Sequence, residues 1–335
     1  MSRKRLALSL AVAGATTVAV AGTAATVGLG AAAFFAVRAL RKKPLTSRPV
    51  VVITGGSRGL GLAIASRFAQ DGARLVLAAR NRAELEQAQA HLLAEHPHMQ
   101  PEDFYLVDVD LTHSADCERL ILETIVRFSR IDILVNNAGI IEVGPLESQP
   151  IEAFDRAMRI YFYAALHTTY AALPHMTSQL PGSGGFAGRR ATIVNVTSIG
   201  GKVAVPHLLP YCAAKFAAVG FSEGLFAELR PKQVHVTTVC PGLMRTGGED
   251  HARFLGKSEL EARWFKLAAK TPGLSASTKY AANRIYNAVR YGRAEITITP
   301  QAWLAARFAG VAPSCTQRIN AVVNNYMLPS APGER

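Results

Sequence analysis

A doubly wound α/β fold, a parallel sheet of about seven strands with helices on both faces, is predicted by three observations. After Pro49, short β-branched runs alternate with longer helical patterns. Most of the short runs are continuously apolar, as strands buried on both faces are. The first run leads at once into a glycine-rich turn that opens a helix. The pattern places strands at 50–54, 74–79, 104–107, 131–136, 192–196, 234–239 and 295–299, and helices at 60–70, 82–95, 115–128, 151–176, 210–229 and 278–291. Residues 181–190, rich in glycine, read as a surface loop. Residues 244–274 mix glycine, charge and the aromatics Phe254, Trp264 and Phe265 after a strand end, which suits either a substrate lid or a plain connecting helix pair.

The glycine turn is Thr54-Gly55-Gly56-Ser57-Arg58-Gly59-Leu60-Gly61. Glycines let the backbone turn tightly and approach a pyrophosphate, whose charge is met by the helix N-terminus. The strand before and the helix after make this a strong dinucleotide signal. A site that prefers NAD places a carboxylate at the end of the second strand for the ribose 2′-hydroxyl. Here that place reads Ala78-Ala79-Arg80-Asn81, and Arg58 adds a second guanidinium inside the turn. Two arginines converging near the 2′ position suit a phosphate, so NADP(H) is expected over NAD(H).

Ser198 ends the fifth strand, and Tyr211 and Lys215 stand four apart at the start of the next helix. That spacing puts phenol and ammonium on one helical face, where the ammonium is expected to lower the phenol pKa from its ordinary value near 10 towards one useful for proton transfer. From about Val50 to Thr299 the chain resembles a short-chain dehydrogenase/reductase of the single-domain type. The resemblance rests on the Thr54–Gly61 turn, Asp110-Leu111 after the third strand, Asn136-Asn137-Ala138-Gly139, Ser198, the Tyr211/Lys215 pair, and Pro241-Gly242 with Thr246 after the sixth strand. It implies a Rossmann-type catalytic domain over 49–300; residues 1–48 are read from their own pattern as a basic-flanked anchor, and 301–335 as a helical extension.

The resemblance also implies roles. Gly55, Ser57, Arg58, Gly59, Leu60, Gly61 and Arg80 would meet the cofactor's phosphates, Asp110 and Leu111 its adenine, and Asn136, Asn137, Ala138 and Gly139 the adenosine side. Lys215 would hold the nicotinamide ribose, and Pro241, Gly242 and Thr246 the carboxamide. Tyr211 would transfer the proton while Ser198 positions the oxygen of a small-molecule carbonyl or alcohol substrate. One departure stands out: the family commonly carries an Asn in the helix before the fifth strand, supporting a water relay to the lysine, and this chain has Tyr161 there.

A second class of function, a nucleotide-binding regulatory or scaffold protein with little turnover, is made thinkable by Tyr161 and opposed by the intact Ser198, Tyr211 and Lys215. The segments near Tyr211 are apolar (Val203, Val205, Leu208, Leu209), which hints at a lipophilic substrate and equally describes core packing. His207 reads as an exposed loop residue or a substrate contact. The apolar tail from Trp303 to Leu328 suits a pocket cap, a membrane contact or a homodimer contact.

Of the net charge of +13, eight units lie in the first 48 residues, which hold Arg3, Lys4, Arg5, Arg38, Arg41, Lys42, Lys43 and Arg48 and no acidic residue. The remainder is nearly balanced, so no nucleic-acid partner is expected. Residues 6–37 carry no formal charge over 32 positions, where about 20 span a bilayer. Ala13-Gly14-Ala15 also looks like a signal-peptide cleavage site. A single-pass anchor is expected instead, because export would strand an enzyme that needs a nicotinamide cofactor, and the larger basic flank puts the catalytic domain on the cytoplasmic side. Four scattered cysteines (Cys117, Cys212, Cys240, Cys315) without a CxxC give neither a disulfide framework nor a metal site.

Overall fold

Four consecutive residues, Val50 to Ile53, are sealed completely from solvent, which is possible only for a strand covered on both faces. They begin β1 (Val50–Thr54) at the centre of the sheet in the computed structural model. The structure describes residues 48–180, 189–247, 252–270 and 275–330. The expected membrane span lies outside the described residues, as does most of the loop at 181–190. Among the described residues no helix is long and apolar enough to cross a membrane.

The sheet continues with β2 (Arg74–Ala79), β3 (Phe104–Asp108), β4 (Ile133–Asn136), β5 (Ala191–Val196), β6 (Val234–Cys240) and β7 (Glu295–Thr297). Its order is β7-β6-β5-β4-β1-β2-β3, and every pairing is parallel. Chain order therefore reverses between β1 and β4, and a crevice opens there at the carboxyl ends of the strands.

Side chains alternate along each strand, so the strands feed two cores. Val51, Ile53, Leu75 and Leu77 pack under α1 (Gly59–Ala69), α2 (Arg82–Glu95) and a later helix, Thr278–Tyr291. Val50, Val52, Val76 and Ala78 pack under α3 (Ser114–Phe128) and two of the helices that follow β4. The long helix expected at 151–176 is broken into α4 (Ile151–Met158), a π turn (Arg159–Tyr163) and α5 (Ala164–Ser178). Then come α6 (Leu209–Leu229), α7 (Ser258–Lys270), α8 (Thr278–Tyr291), α9 (Pro300–Val311) and α10 (Pro313–Met327). The tail is thus two helices, divided where Pro313 opens the second.

Helix α8 lies across α1. The Tyr286 ring meets Phe68 edge-on at 5.2 Å, Arg67 stacks over it at 3.6 Å, and its hydroxyl bonds to Asp71. The 244–274 segment is tied down by two short parallel ladders. Met244–Arg245 pairs with Ala276–Ser277, and Arg253–Phe254 pairs with Glu142–Val143. Between them the described part is the single helix α7, in place of a helix pair.

Candidate active site

At the switch point one hydroxyl joins the two halves of the sheet. Thr54 Oγ1 donates to the Val135 carbonyl (3.2 Å) and accepts from the amides of Asn137 (2.8 Å) and Ala138 (3.1 Å). The Asn137 side chain returns the contact, donating to the carbonyls of Thr54 (3.0 Å) and Gly55 (3.3 Å). Gly55 and Gly59 hold φ of +65° and +58°, which other residues avoid. At Gly61 a Cβ would stand 2.0 Å from the Gly55 carbonyl oxygen, so α1 can start hard against the turn only with glycine there. The helix has no side-chain cap and no acidic residue in its first turn. An uncapped positive helix end on a backbone cradle fits a pyrophosphate. Thr246 is brought to the same turn, its carbonyl 3.3 Å from where a Gly59 Cβ would lie.

The adenine side is built from local turns. Asp110 accepts from the Thr112 amide (3.0 Å) and hydroxyl (2.8 Å). Burial pulls its pKa up, but the Thr112 bonds outweigh this and, with the charges of His113 and Arg80, hold it below the ordinary range. Leu111 beside it is buried.

The sequence showed no carboxylate at the end of β2, yet the structure supplies one nearby. Glu84 accepts from Ser57 Oγ (3.1 Å) and from Arg58 Nη1 (3.2 Å). Its position follows from Asn81, which caps α2 by accepting from the amides of Ala83 (3.0 Å) and Glu84 (3.3 Å) and so sets Glu84 in the first helical turn. The Asn-x-x-Glu spacing was the signal that could have found it. Arg58 is therefore paired within the chain, while Arg80 is exposed on the Asp110 side.

The expected catalytic residues come together at the ends of β5 and β6. Ser198 caps a short 3-10 turn, Ile199–Gly201, by accepting from the Gly200 amide (3.0 Å), and it hydrogen-bonds the Tyr211 phenol. Gly200 lies directly under that phenol, since a Cβ there would be 2.9 Å from Tyr211 Cε1. The Ile199 amide donates to the Pro241 carbonyl (2.8 Å), locking the turn to the loop after β6. Gly242 packs against α9, with Thr299 Oγ1 2.2 Å from the place of a Cβ. Lys215 is buried; its Nζ donates to the Val196 carbonyl (3.0 Å) and lies 5.7 Å from the centre of the Tyr211 ring.

The expected lowering of the phenol pKa by the ammonium is not what this arrangement gives. Burial pushes Tyr211 up to about 12, against the opposing Ser198 bond, and pushes Lys215 down to about 7. Both groups are desolvated together, so each disfavours its charged form.

One further residue differs from expectation. His207 is buried and 2.8 Å from Glu261 of α7, in place of the exposed loop histidine. Its carbonyl accepts from the Gly144 amide (2.9 Å). The tail also touches this loop, because Asn320 of α10 donates to the Ala204 carbonyl (2.7 Å). Tyr161 is buried in the π turn, its ring centre 4.1 Å from Lys215 Nζ. π turns of this kind often mark functional sites.

A family model described as short chain dehydrogenase matches residues 49–253. A dehydrogenase/reductase SDR family protein 7-like of Anopheles gambiae is 32% identical over 257 residues, 77% of each chain. An 11-beta-hydroxysteroid dehydrogenase-like 4A of Arabidopsis thaliana is 33% identical over 63% of this chain and 66% of its own. Among solved structures, a short chain dehydrogenase/reductase of Burkholderia phymatum in complex with NAD aligns with a TM-score of 0.70 at 22% identity, covering 80% of this chain and 95% of that one. L-sorbose reductase of Gluconobacter frateurii, complexed with NADPH and L-sorbose, aligns at 0.64 and 24% identity, covering 77% and 97%. The likeness to these two structures establishes the fold, and the family match spans more than half of the sequence. The chain belongs to the short-chain dehydrogenase/reductase family, as an oxidoreductase acting on hydroxyl or carbonyl groups.

Proposed function

We propose that the chain is an NADP(H)-dependent oxidoreductase that interconverts a lipophilic carbonyl compound and its alcohol through Ser198, Tyr211 and Lys215. The observation that carries the reading is the convergence of these three side chains at the carboxyl edge of the sheet, beside the uncapped start of α1.

The cofactor's place is supported by the open cradle at Gly55, Ser57, Arg58, Gly59, Leu60 and Gly61, with Asp110 and Leu111, Asn137 to Gly139, Pro241, Gly242 and Thr246 around it. When bound, it supplies or accepts the hydride. Ser198 holds the substrate oxygen by hydrogen bond. Tyr211 donates its hydroxyl proton to that oxygen during reduction, or takes it back during oxidation. Lys215, with a pKa near neutrality, stands one helical turn away to restore that proton and to support the phenolate formed transiently.

Preference for NADP(H) rests on Arg58 and Arg80 and on the absence of a carboxylate at 78–81. A 2′-phosphate carries more charge than Glu84 and can take over Arg58 from it. The lipophilic substrate class rests on half-buried Val203, Val205, Leu208 and Leu209 beside Tyr211, and on the steroid dehydrogenase-like relative. The uncharged segment 6–37 is read as the membrane anchor, with the catalytic domain on the cytoplasmic side. The test is NADPH oxidation by the full chain against a panel of hydrophobic ketones and aldehydes, with NADH in parallel. Turnover confined to small hydrophilic carbonyls, or to NADH, would overturn the reading.

A further inference from the structure

Tyr161 stands where the family resemblance expects an asparagine, and three contacts hold it. Its ring centre lies 4.1 Å from Lys215 Nζ. Its plane stands at 87° to the Tyr211 ring, with centroids 5.2 Å apart. Its hydroxyl edge is seated on the turn after β4: a Cβ on Gly139 would be 2.5 Å from Tyr161 Cε1 and 3.2 Å from its hydroxyl oxygen, and the Ile140 amide bonds the hydroxyl. The hydroxyl is thus occupied by backbone, and the ring face is what the ammonium meets.

The space beside Lys215 points the same way. The small cavity bordered by Thr54, Asn136, Ala138, Tyr161, Val196 and Lys215 offers about 10 Å³ to water. That is at the lower limit for a single molecule, which needs about 10–15 Å³. A chain of waters does not fit where the aromatic ring stands.

We propose that Tyr161 is a positioning residue for the reaction read above: its ring holds the Lys215 ammonium by a cation–π contact and fixes the Tyr211 ring edge-on, in place of a water relay. The need for such a contact is set by burial, which disfavours the charge on Lys215. The negative face of an aromatic ring favours the charged form without bringing a competing anion into the site. Few other groups could do this. The titratable groups facing Lys215 are Tyr211 on its own helix, Tyr161 on the π turn and Cys240 on β6, while β5 and the Ile199–Gly201 turn present none. On α4, which packs against α6, Glu152 and Asp155 are exposed, and Arg156 is paired with Glu142.

The experiment compares Tyr161→Phe with Tyr161→pentafluorophenylalanine in the full-length protein. The first keeps the ring and its quadrupole and removes the hydroxyl; the second keeps the ring shape and reverses the quadrupole. Two quantities are read: the pH profile of kcat with NADPH and a carbonyl that the wild type reduces, and the Lys215 pKa from ¹³Cε NMR in the cofactor-free protein. The phenylalanine variant is expected to keep kcat within about twofold and the Lys215 pKa unchanged. In the fluorinated variant the Lys215 pKa should fall by about one unit, the size of a desolvated cation–π contact. The basic limb of kcat should move down with it, kcat at pH 8 should drop roughly tenfold, and KM should change little. A comparable loss in the phenylalanine variant would assign the role to the hydroxyl, and a fluorinated variant that behaves like phenylalanine in both readouts would reduce Tyr161 to packing. Either outcome overturns the proposal. The NMR readout needs no substrate, so a pKa shift in a protein that reduces no carbonyl would sustain the clamp and refute the activity.

Discussion

Glu261 Oε1 lies 2.8 Å from Nδ1 of His207, and its second carboxylate oxygen accepts from the Trp264 indole N–H at 2.6 Å. Both partners of the pair are buried, and they join α7 to the loop that leads into Tyr211. Removing the carboxylate leaves the buried His207 ring nitrogen and the half-buried Trp264 N–H without their partner. Glu261→Ala is therefore expected to cost about 2–4 kcal/mol of stability. For a chain of this size that corresponds to a Tm lower by roughly 3–6 °C. A Tm within a degree of wild type would mean that the pair contributes nothing.

Tyr211→Phe is expected to abolish turnover while leaving NADPH affinity within about threefold, because only the phenol hydroxyl transfers the proton. Cofactor titration by fluorescence beside steady-state rates checks both halves. Retained turnover would remove Tyr211 from the chemistry.

Cofactor preference is expected to respond in opposite directions at two positions. Arg80→Asp removes a positive partner of a 2′-phosphate and adds an acceptor for a 2′-hydroxyl, so kcat/KM should shift towards NADH by more than about tenfold, or ~1.4 kcal/mol. Glu84→Ala releases Arg58 and Ser57, so the NADPH-to-NADH ratio should rise by about threefold or more. A fall in that ratio would show that Glu84, by holding Arg58 and Ser57 in place, supports NADPH binding instead of competing with it.

The buried lysine gives the cofactor-free protein a characteristic pH response. Lys215 has a folded pKa of about 7 against 10.5 unfolded, so between these values the unfolded chain binds the extra proton and stability rises with pH. The penalty for burying the charge is present in full below pH 7 and relieved by about pH 10. Tyr211, raised from 10.0 to about 12, acts in the next window: the folded state holds the proton longer, and stability falls from pH 10 towards 12. Lys215→Met is accordingly expected to exceed wild type in stability at pH 6, on the order of a few kcal/mol, and to lose most of that advantage by pH 9.5. Urea unfolding at the two pH values measures the difference. A gap that does not narrow would place the Lys215 pKa at its ordinary value.

A chain beginning at Arg48 is expected to be soluble and to bind NADPH, since β1 and the cofactor cradle lie beyond that point. The full-length protein should stay with membranes through a 1 M salt wash. Basic residues alone would be screened there, within a Debye length of about 3 Å, whereas a buried apolar helix would not release. Release of uncleaved protein would refute the anchor, and a mature N-terminus near Ala15 would indicate export.

The sheet was legible to within two residues at every strand end because its strands are buried on both faces and read as largely apolar runs. The glycine turn was legible because its spacing is fixed by backbone geometry. What escaped the sequence depends on side chains meeting across distance. No local pattern announces that His207 will find Glu261, 54 positions on. Nor does spacing on one helical face reveal that burial, acting on Tyr211 and Lys215 alike, outweighs their attraction. The break of 151–176 into two helices was also invisible, since a π turn inserts its extra residue without glycine or proline as a marker.

The crossing of α8 over α1 bears on how the protein is made. Asp71 and the tyrosine that bonds it are 215 positions apart, so α1 leaves the ribosome long before its cover exists. At roughly 5–20 residues per second, the apolar side of the nascent βαβ unit, with Phe68 on it, waits about 10–40 seconds for Tyr286 to be translated. Burial of that surface is thus completed only when α8 has been made, and a chain stopped before residue 278 would expose the Phe68 side of α1 although its glycine turn is already present.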